Sequence, residues 1–74
     1  MTPTEFALRG DHITLDALLK ASGLAASGGA AKVMIGSGAV QVNGTSETRR
    51  GRKLRAGDEV AVPDSAPVRV VAGA

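Results

Sequence analysis

Cationic side chains are concentrated in one short stretch of this 74-residue chain. Residues 49–55 read Arg-Arg-Gly-Arg-Lys-Leu-Arg, so this basic segment contributes +5 while the remainder of the chain contributes −3 to a net charge of +2. Adjacent cations repel one another and add nothing to a core, so a partner that supplies negative charge is the natural explanation. Phosphate is the expected chemistry and nucleic acid its expected carrier; a solvated loop without a partner is the alternative. The candidate contacts are Arg49, Arg50, Arg52, Lys53 and Arg55.

A second candidate anion site lies at the predicted start of a helix. Ser27 is a favourable N-cap residue, and Gly28 and Gly29 follow it. Glycine is a poor helix former, but it leaves the unpaired first amides of a helix uncovered by side chains. Lys32 lies three and four residues beyond the glycines, over the same face. We expect these four residues to form a phosphate site. The alternative is that the glycines permit close helix packing and that Lys32 is only solvated.

Residue types that carry catalysis or bind metals are not assembled into a recognisable pattern. The chain has no cysteine, and its single histidine, His12, cannot build a metal site by itself. No carboxylate pair accompanies a nucleophile, and the glycine-rich stretches lack the Gly-Lys-Ser/Thr ending of nucleotide-binding phosphate loops. We therefore predict no enzymatic activity, no catalytic residue, no metal site and no cofactor.

Aromatic residues are almost absent from the sequence. Phe6 is the only member of the group Phe, Tyr and Trp, and we expect it in the core. Modules that read single strands by stacking bases on exposed rings need several aromatic residues. If the chain binds nucleic acid, we therefore expect it to do so through phosphates, backbone amides and shape rather than base stacking.

The length and the hydropathy pattern limit the architecture to one small domain, residues 1–74. The first 20 residues lack the apolar region of a signal peptide, and no apolar run approaches the roughly 20 residues that span a bilayer. We expect a cytoplasmic, soluble monomer with no membrane partner.

Two short helices must position the second anion site. The first is predicted to begin after Thr14 as N-cap, to bury Leu15, Leu18 and Leu19, and to end at Gly23. The second is predicted to follow Ser27 and to end between Gly36 and Gly38, with an apolar stripe of Ala31, Met34 and Ile35.

Short strands are predicted on both sides of the helix pair. Residues 40–42 alternate in polarity, and Asn43-Gly44 is typical of a tight hairpin that leads into a returning strand at 45–48. Leu54 is expected to point inward from the basic segment. Further strands are predicted at 5–8, 59–62 and 68–71, with a turn at residues 56–58.

Several short motifs follow one another in a fixed order along the chain. They are Leu15-Asp16-x-x-Leu19, the cap Ser27, Ala31-Lys32-x-x-Ile35, Val40-x-Val42-Asn43-Gly44 and Gly57-Asp58-x-Val60. Over residues 13–62 this set resembles the RNA-binding domain named after ribosomal small-subunit protein S4, and the length resembles small stand-alone bacterial members. The resemblance implies an α+β fold in which a two-helix alpha-L motif packs on a small, mostly antiparallel sheet of four to five strands. It also implies RNA binding through the helix pair and the neighbouring loop.

The chain departs from that family's pattern at two positions. Thr14 stands where many members have arginine, and Gly28 stands where arginine or lysine usually follows the cap. Lys32 matches a position that is usually basic. Our interpretation is that exposed amides at Gly28 and Gly29 replace cationic side chains, while charge has moved to the basic segment.

These observations favour a non-catalytic module that binds structured RNA, ribosomal or transfer RNA, through phosphate contacts. A ribosome-associated adaptor that contacts protein is the alternative. A DNA-binding module is less favoured, because the second helix begins with Gly-Gly and carries few side chains that could read bases. We do not expect a sulfur-carrier function, because the sequence reads Ala-Gly-Ala at residues 72–74 where such carriers need Gly-Gly.

Overall fold

The computed structural model describes residues 2–73 of the chain. These residues contain two short helices and seven short strands, joined by turns and loops. The helices are α1 (Leu15–Ala21) and α2 (Gly28–Gly36). The strands are β1 (Thr4–Ala7), β2 (Ile13–Thr14), β3 (Gln41–Val42), β4 (Thr45–Ser46), β5 (Lys53–Leu54), β6 (Glu59–Ala61) and β7 (Val68–Val71). Neither helix is long and apolar enough to cross a membrane, so the described residues contain no membrane-spanning helix.

The strands form one main sheet and one small ribbon. The main sheet has the order β1-β7-β6-β3-β4, in which only the β1–β7 pair is parallel. The ribbon joins β2 to β5 in antiparallel pairing, with Ile13 opposite Leu54. The predicted α+β class with a mostly antiparallel sheet is confirmed. The ribbon was not predicted, because it pairs two-residue strands that are far apart in the sequence.

The helices form where the apolar spacing and the capping residues predicted them. Leu15, Leu18 and Leu19 of α1 are fully buried, as their i, i+3, i+4 spacing requires. Both helices are followed by a glycine with a left-handed backbone, Gly23 and Gly38, each with φ of 81°. That conformation costs glycine little and stops the helix at the predicted place.

The hairpin between β3 and β4 follows the predicted turn. Asn43 and Gly44 have φ values of 53° and 84°, the two positive angles of a type I′ turn, and Val42 pairs with Thr45 across it. The returning strand is shorter than predicted, because pairing stops at Ser46 rather than Thr48.

Helices and sheet share one hydrophobic core. Leu54 is fully buried in it, as predicted, so one apolar side chain anchors the basic segment to the fold. Burying a leucine side chain stabilises a fold by about 1.5–3 kcal/mol. Phe6 was predicted to lie in the core, but its side chain is only partly buried and packs against the core from outside. The reason is that β1 is an edge strand of the sheet, so no neighbouring strand covers its outer side.

Candidate nucleic-acid interface

The backbone of the basic segment caps the start of α1. The amide of Leu15 donates to the carbonyl of Arg52 at 2.9 Å, and the amide of Asp16 donates to the carbonyl of Arg50 at 3.1 Å. Thr14 occupies the N-cap position with an extended backbone, as predicted, but its side chain makes no capping hydrogen bond. The segment therefore accepts hydrogen bonds from the first amides of α1, which a capping side chain would otherwise bind. The same two hydrogen bonds hold the backbone of the segment in position.

A buried carboxylate holds two cations of the basic segment. Glu47 is only 7 % exposed. Its Oε2 accepts from Arg49 Nε at 3.1 Å, and its Oε1 accepts from Arg49 NH2 at 3.2 Å and from Arg52 NH1 at 2.9 Å. The backbone amide of Arg49 donates to Oε2 as well. The hydrogen bonds from Arg49, followed by the one from Arg52, lower the pKa of Glu47 to about 2.

This carboxylate changes the expected charge of the segment. The sequence suggested five cations without a counter-charge, but two of them share Glu47. Arg49 remains 77 % exposed at its side chain despite the ion pair, whereas Arg52 is partly covered. Glu47 was missed because its position, two residues before Arg49, gives no sign that its side chain folds back to be buried.

The other three cations of the segment face solvent. Arg55 lies 3.8 Å from a carboxylate oxygen of Asp11, and its side chain is 61 % exposed. Arg50 and Lys53 are exposed and form no ion pair with any carboxylate in residues 2–73. Arg50, Lys53 and the loosely paired Arg55 can therefore contact an anionic partner without breaking the hydrogen bonds to Glu47.

Asp58 binds both the end of the basic segment and the turn of the β3–β4 hairpin. Its Oδ2 accepts from the amide of Arg55 at 2.8 Å, and its Oδ1 accepts from Asn43 Nδ2 at 2.9 Å. The hydrogen bond from the Arg55 amide is the main cause that lowers the pKa of Asp58. Asn43 in turn accepts from the amide of Glu59 at 2.9 Å, so its side chain has a structural role beyond the turn.

The start of α2 leaves two amides without a partner. Ser27 caps the helix as predicted, because its Oγ accepts from the amide of Ala30 at 3.1 Å. Within the described part of the chain, the amides of Gly28 and Gly29 donate to no other group. Lys32 is exposed one turn later. The start of α2 thus differs from that of α1, whose first two amides are occupied.

Close packing does not explain the two glycines. A Cβ atom at Gly28 would meet nothing within 4 Å, and one at Gly29 would meet only the Ser27 hydroxyl oxygen at 3.8 Å. A methyl group would therefore fit at both positions. The packing alternative that the sequence left open is wrong.

The basic segment begins beside the end of α2, whereas Gly28 and Gly29 lie at the start of that helix. The amide of Glu47 donates to the carbonyl of Val40, and the Ser46 hydroxyl donates to the carbonyl of Gly38, so the chain enters the basic segment beside the end of α2. The glycines lie at the other end of that nine-residue helix, about 13 Å away along its axis. No hydrogen bond or ion pair among residues 2–73 joins Gly28, Gly29 or Lys32 to the segment.

Comparison with known families agrees with this geometry. A model described as the S4 domain matches residues 6–71. The chain belongs to the S4 domain family. The S4 domain is generally an RNA-binding domain. The resemblance and the fold expected from it are therefore confirmed, and the match extends beyond both ends of the predicted family-like core, residues 13–62. No curated protein matches the sequence.

Proposed function

We propose that this S4 domain binds structured RNA, such as ribosomal or transfer RNA, through phosphate contacts and without catalysis of its own. The observation that carries the proposal is the exposure of Arg50, Lys53 and Arg55 on a segment whose backbone is fixed. Buried Leu54 and the two hydrogen bonds to α1 hold that segment in place. A fixed segment loses little conformational entropy when an anion binds, so its charges act together.

The start of α2 supplies the second set of contacts in this proposal. The amides of Gly28 and Gly29 belong to the first turn of α2, and the N-terminus of a helix favours anions. Lys32 adds a full positive charge, and Ser27 fixes the first turn through its cap. One RNA can bridge the two patches, because the longest dimension of the molecule is only 33 Å.

Recognition is expected to follow RNA shape more than RNA sequence. The chain has only one asparagine and one glutamine, so it offers few of the side-chain amides that read base edges bidentately. A-form duplexes are recognised through phosphates and 2′-hydroxyl groups across the minor groove. The protein would act as a monomer in the cytoplasm, where ribosomal and transfer RNA occur.

A competition experiment tests this proposal. The protein is titrated into a labelled RNA hairpin, and unlabelled duplex RNA or duplex DNA of the same sequence is then added. We expect duplex RNA to displace the probe at a concentration at least tenfold lower than duplex DNA. Equal competition by DNA would indicate general polyanion binding, and failure to bind the labelled hairpin would remove the proposed function.

A further inference from the structure

An open cavity of about 540 Å³ lies beside the edge strand β1. Its wall contains the ring of Phe6 and the apolar side chains of Ile13 and Ala21, and Arg9 and His12 also line it. The volume falls within the range of pockets that hold small ligands. A nucleotide has a base whose planar faces pack on apolar surface and a phosphate that is anionic. Apolar surface beside cationic or polar groups therefore suits both of its parts.

The exposed face of Phe6 is the aromatic surface of this cavity. Its ring is partly buried rather than enclosed, since β1 has a paired strand, β7, on one side only. A base that stacks on an aromatic side chain gains about 1–3 kcal/mol, and such stacking is tolerant of sequence. The sequence alone argued against stacking on the assumption that Phe6 is enclosed in the core, and the structure removes that assumption.

The cavity lies next to the end of the basic segment. His12 Nδ1 lies 2.8 Å from Asp11 Oδ1, and Asp11 Oδ2 lies 3.8 Å from Arg55, the last cation of the segment. Ile13 on the cavity wall pairs with Leu54 in the β2–β5 ribbon. The Asp11 carboxylate is thus engaged by both His12 and Arg55, while Arg9 forms no ion pair within the described chain.

We infer that this cavity receives one unstacked nucleobase of the bound RNA, against Phe6, with the adjoining phosphate facing Arg9 and His12. The inference rests on the proposed function. It follows from charge complementarity and from proximity, because Arg55 at the end of the basic segment lies 3.8 Å from Asp11, the neighbour of the cavity residue His12. An unpaired nucleotide in a bulge can leave its stack at small cost, whereas a paired one cannot.

Two RNA hairpins that differ by one bulged nucleotide test the inference. We expect the wild-type protein to bind the bulged hairpin about tenfold more tightly than the fully paired one. Phe6→Leu keeps an apolar side chain but removes the ring, so it should abolish the preference and leave the affinity for the paired hairpin within about twofold. Met34→Leu is the matched control, because Met34 is also partly buried against the core but does not line the cavity.

A second variant keeps the test decisive if Phe6→Leu does not fold. Arg9→Gln changes an exposed side chain without an ion pair in residues 2–73, so it should keep the fold while reducing the preference several-fold. Equal binding of the two hairpins by the wild type would overturn the inference but not the proposed function. A preference that survives both substitutions would also overturn it, since the base would then bind elsewhere. Loss of all hairpin binding would remove both.

Discussion

At the scale of single residues, Glu47 has the largest effect on how the basic segment is organised. A carboxylate that accepts four hydrogen bonds from Arg49 and Arg52 holds two guanidinium groups and one turn of the backbone in a fixed arrangement. It also reduces the local positive charge by one. The segment is therefore a folded element with an internal counter-ion rather than a flexible polycation.

Glu47 makes the stability depend on pH. Its pKa in the folded protein is about 2, lowered from an ordinary value of 4.5, so the unfolded chain binds the proton more tightly. The stabilisation is complete above the unfolded pKa, and it is lost as the pH falls from about 5 towards about 2. We expect Glu47→Gln to lower the melting temperature at pH 7 and to flatten its decline in this acidic range. Thermal unfolding followed by circular dichroism measures both effects.

Glu5→Gln is the control for that experiment. Glu5 is exposed on β1 and forms no ion pair in residues 2–73, so its loss should leave both the melting temperature and its pH profile unchanged. If Glu47→Gln behaved like Glu5→Gln, the carboxylate would not stabilise the basic segment.

At the scale of elements, the two helices use their N-termini differently. The first amides of α1 are bound by carbonyls of the basic segment, whereas those of Gly28 and Gly29 in α2 have no hydrogen-bond acceptor among residues 2–73. Only the second helix therefore offers free donors and the positive end of a helix dipole to a phosphate. A capping serine followed by two glycines leaves these donors uncovered, because glycine has no side chain.

Alanine substitutions can test these amides cleanly. Gly28→Ala and Gly29→Ala place methyl groups where no clash occurs, so stability should stay the same or rise by less than about 1 kcal/mol. RNA affinity should fall about three- to tenfold, because each methyl group hinders close approach of a phosphate, by an amount comparable to one weakened hydrogen bond. Melting temperature and RNA titration are measured on the same variants.

Gly36→Ala serves as the matched control in the same helix. A Cβ at Gly36 also meets nothing within 4 Å, but this glycine lies in the last turn, away from the free amides. Its RNA affinity should equal that of the wild type. If the variant that carries both Gly28→Ala and Gly29→Ala bound RNA as tightly as the wild type, the two amides would have no part in the site.

At the scale of the whole molecule, charge is distributed unevenly over a scaffold with a small net charge. The chain carries nine basic and seven acidic residues, yet the two candidate patches expose Arg50, Lys53, Arg55 and Lys32 in addition to the arginines bound to Glu47. Their field attracts polyanions at long range, and salt screens it. The number of phosphates neutralised should be close to this number of exposed cations, about four.

The salt dependence of binding measures that number. For about four neutralised phosphates, the slope of log affinity against log salt should be roughly −3 to −4, a loss on the order of a hundredfold between about 50 and 200 mM. Arg50→Gln should reduce the magnitude of the slope by about 1 for every RNA sequence tried. Arg69→Gln is the control, because Arg69 is paired with Glu59 on the main sheet. Affinity that did not change with salt would contradict the proposed interface.

Local structure was predictable from the sequence because its determinants lie within a few residues. The serine cap of α2, the left-handed glycines after both helices and the Asn43-Gly44 turn were all identified correctly from sequence. The inward direction of Leu54 followed from its being the only apolar residue in the basic segment. The ordered motifs also indicated the family, since they record these local features in a fixed order.

The sequence by itself determined the helices, the hairpin, the family and the concentration of cations at residues 49–55, because capping, periodicity and charge are short-range properties. Only the tertiary structure decided that β1 pairs in parallel with β7, which leaves Phe6 at an open edge. It also decided that Glu47 binds two of the five cations and that the segment's carbonyls cap α1. These contacts depend on which distant elements share the core, and no local pattern specifies that arrangement.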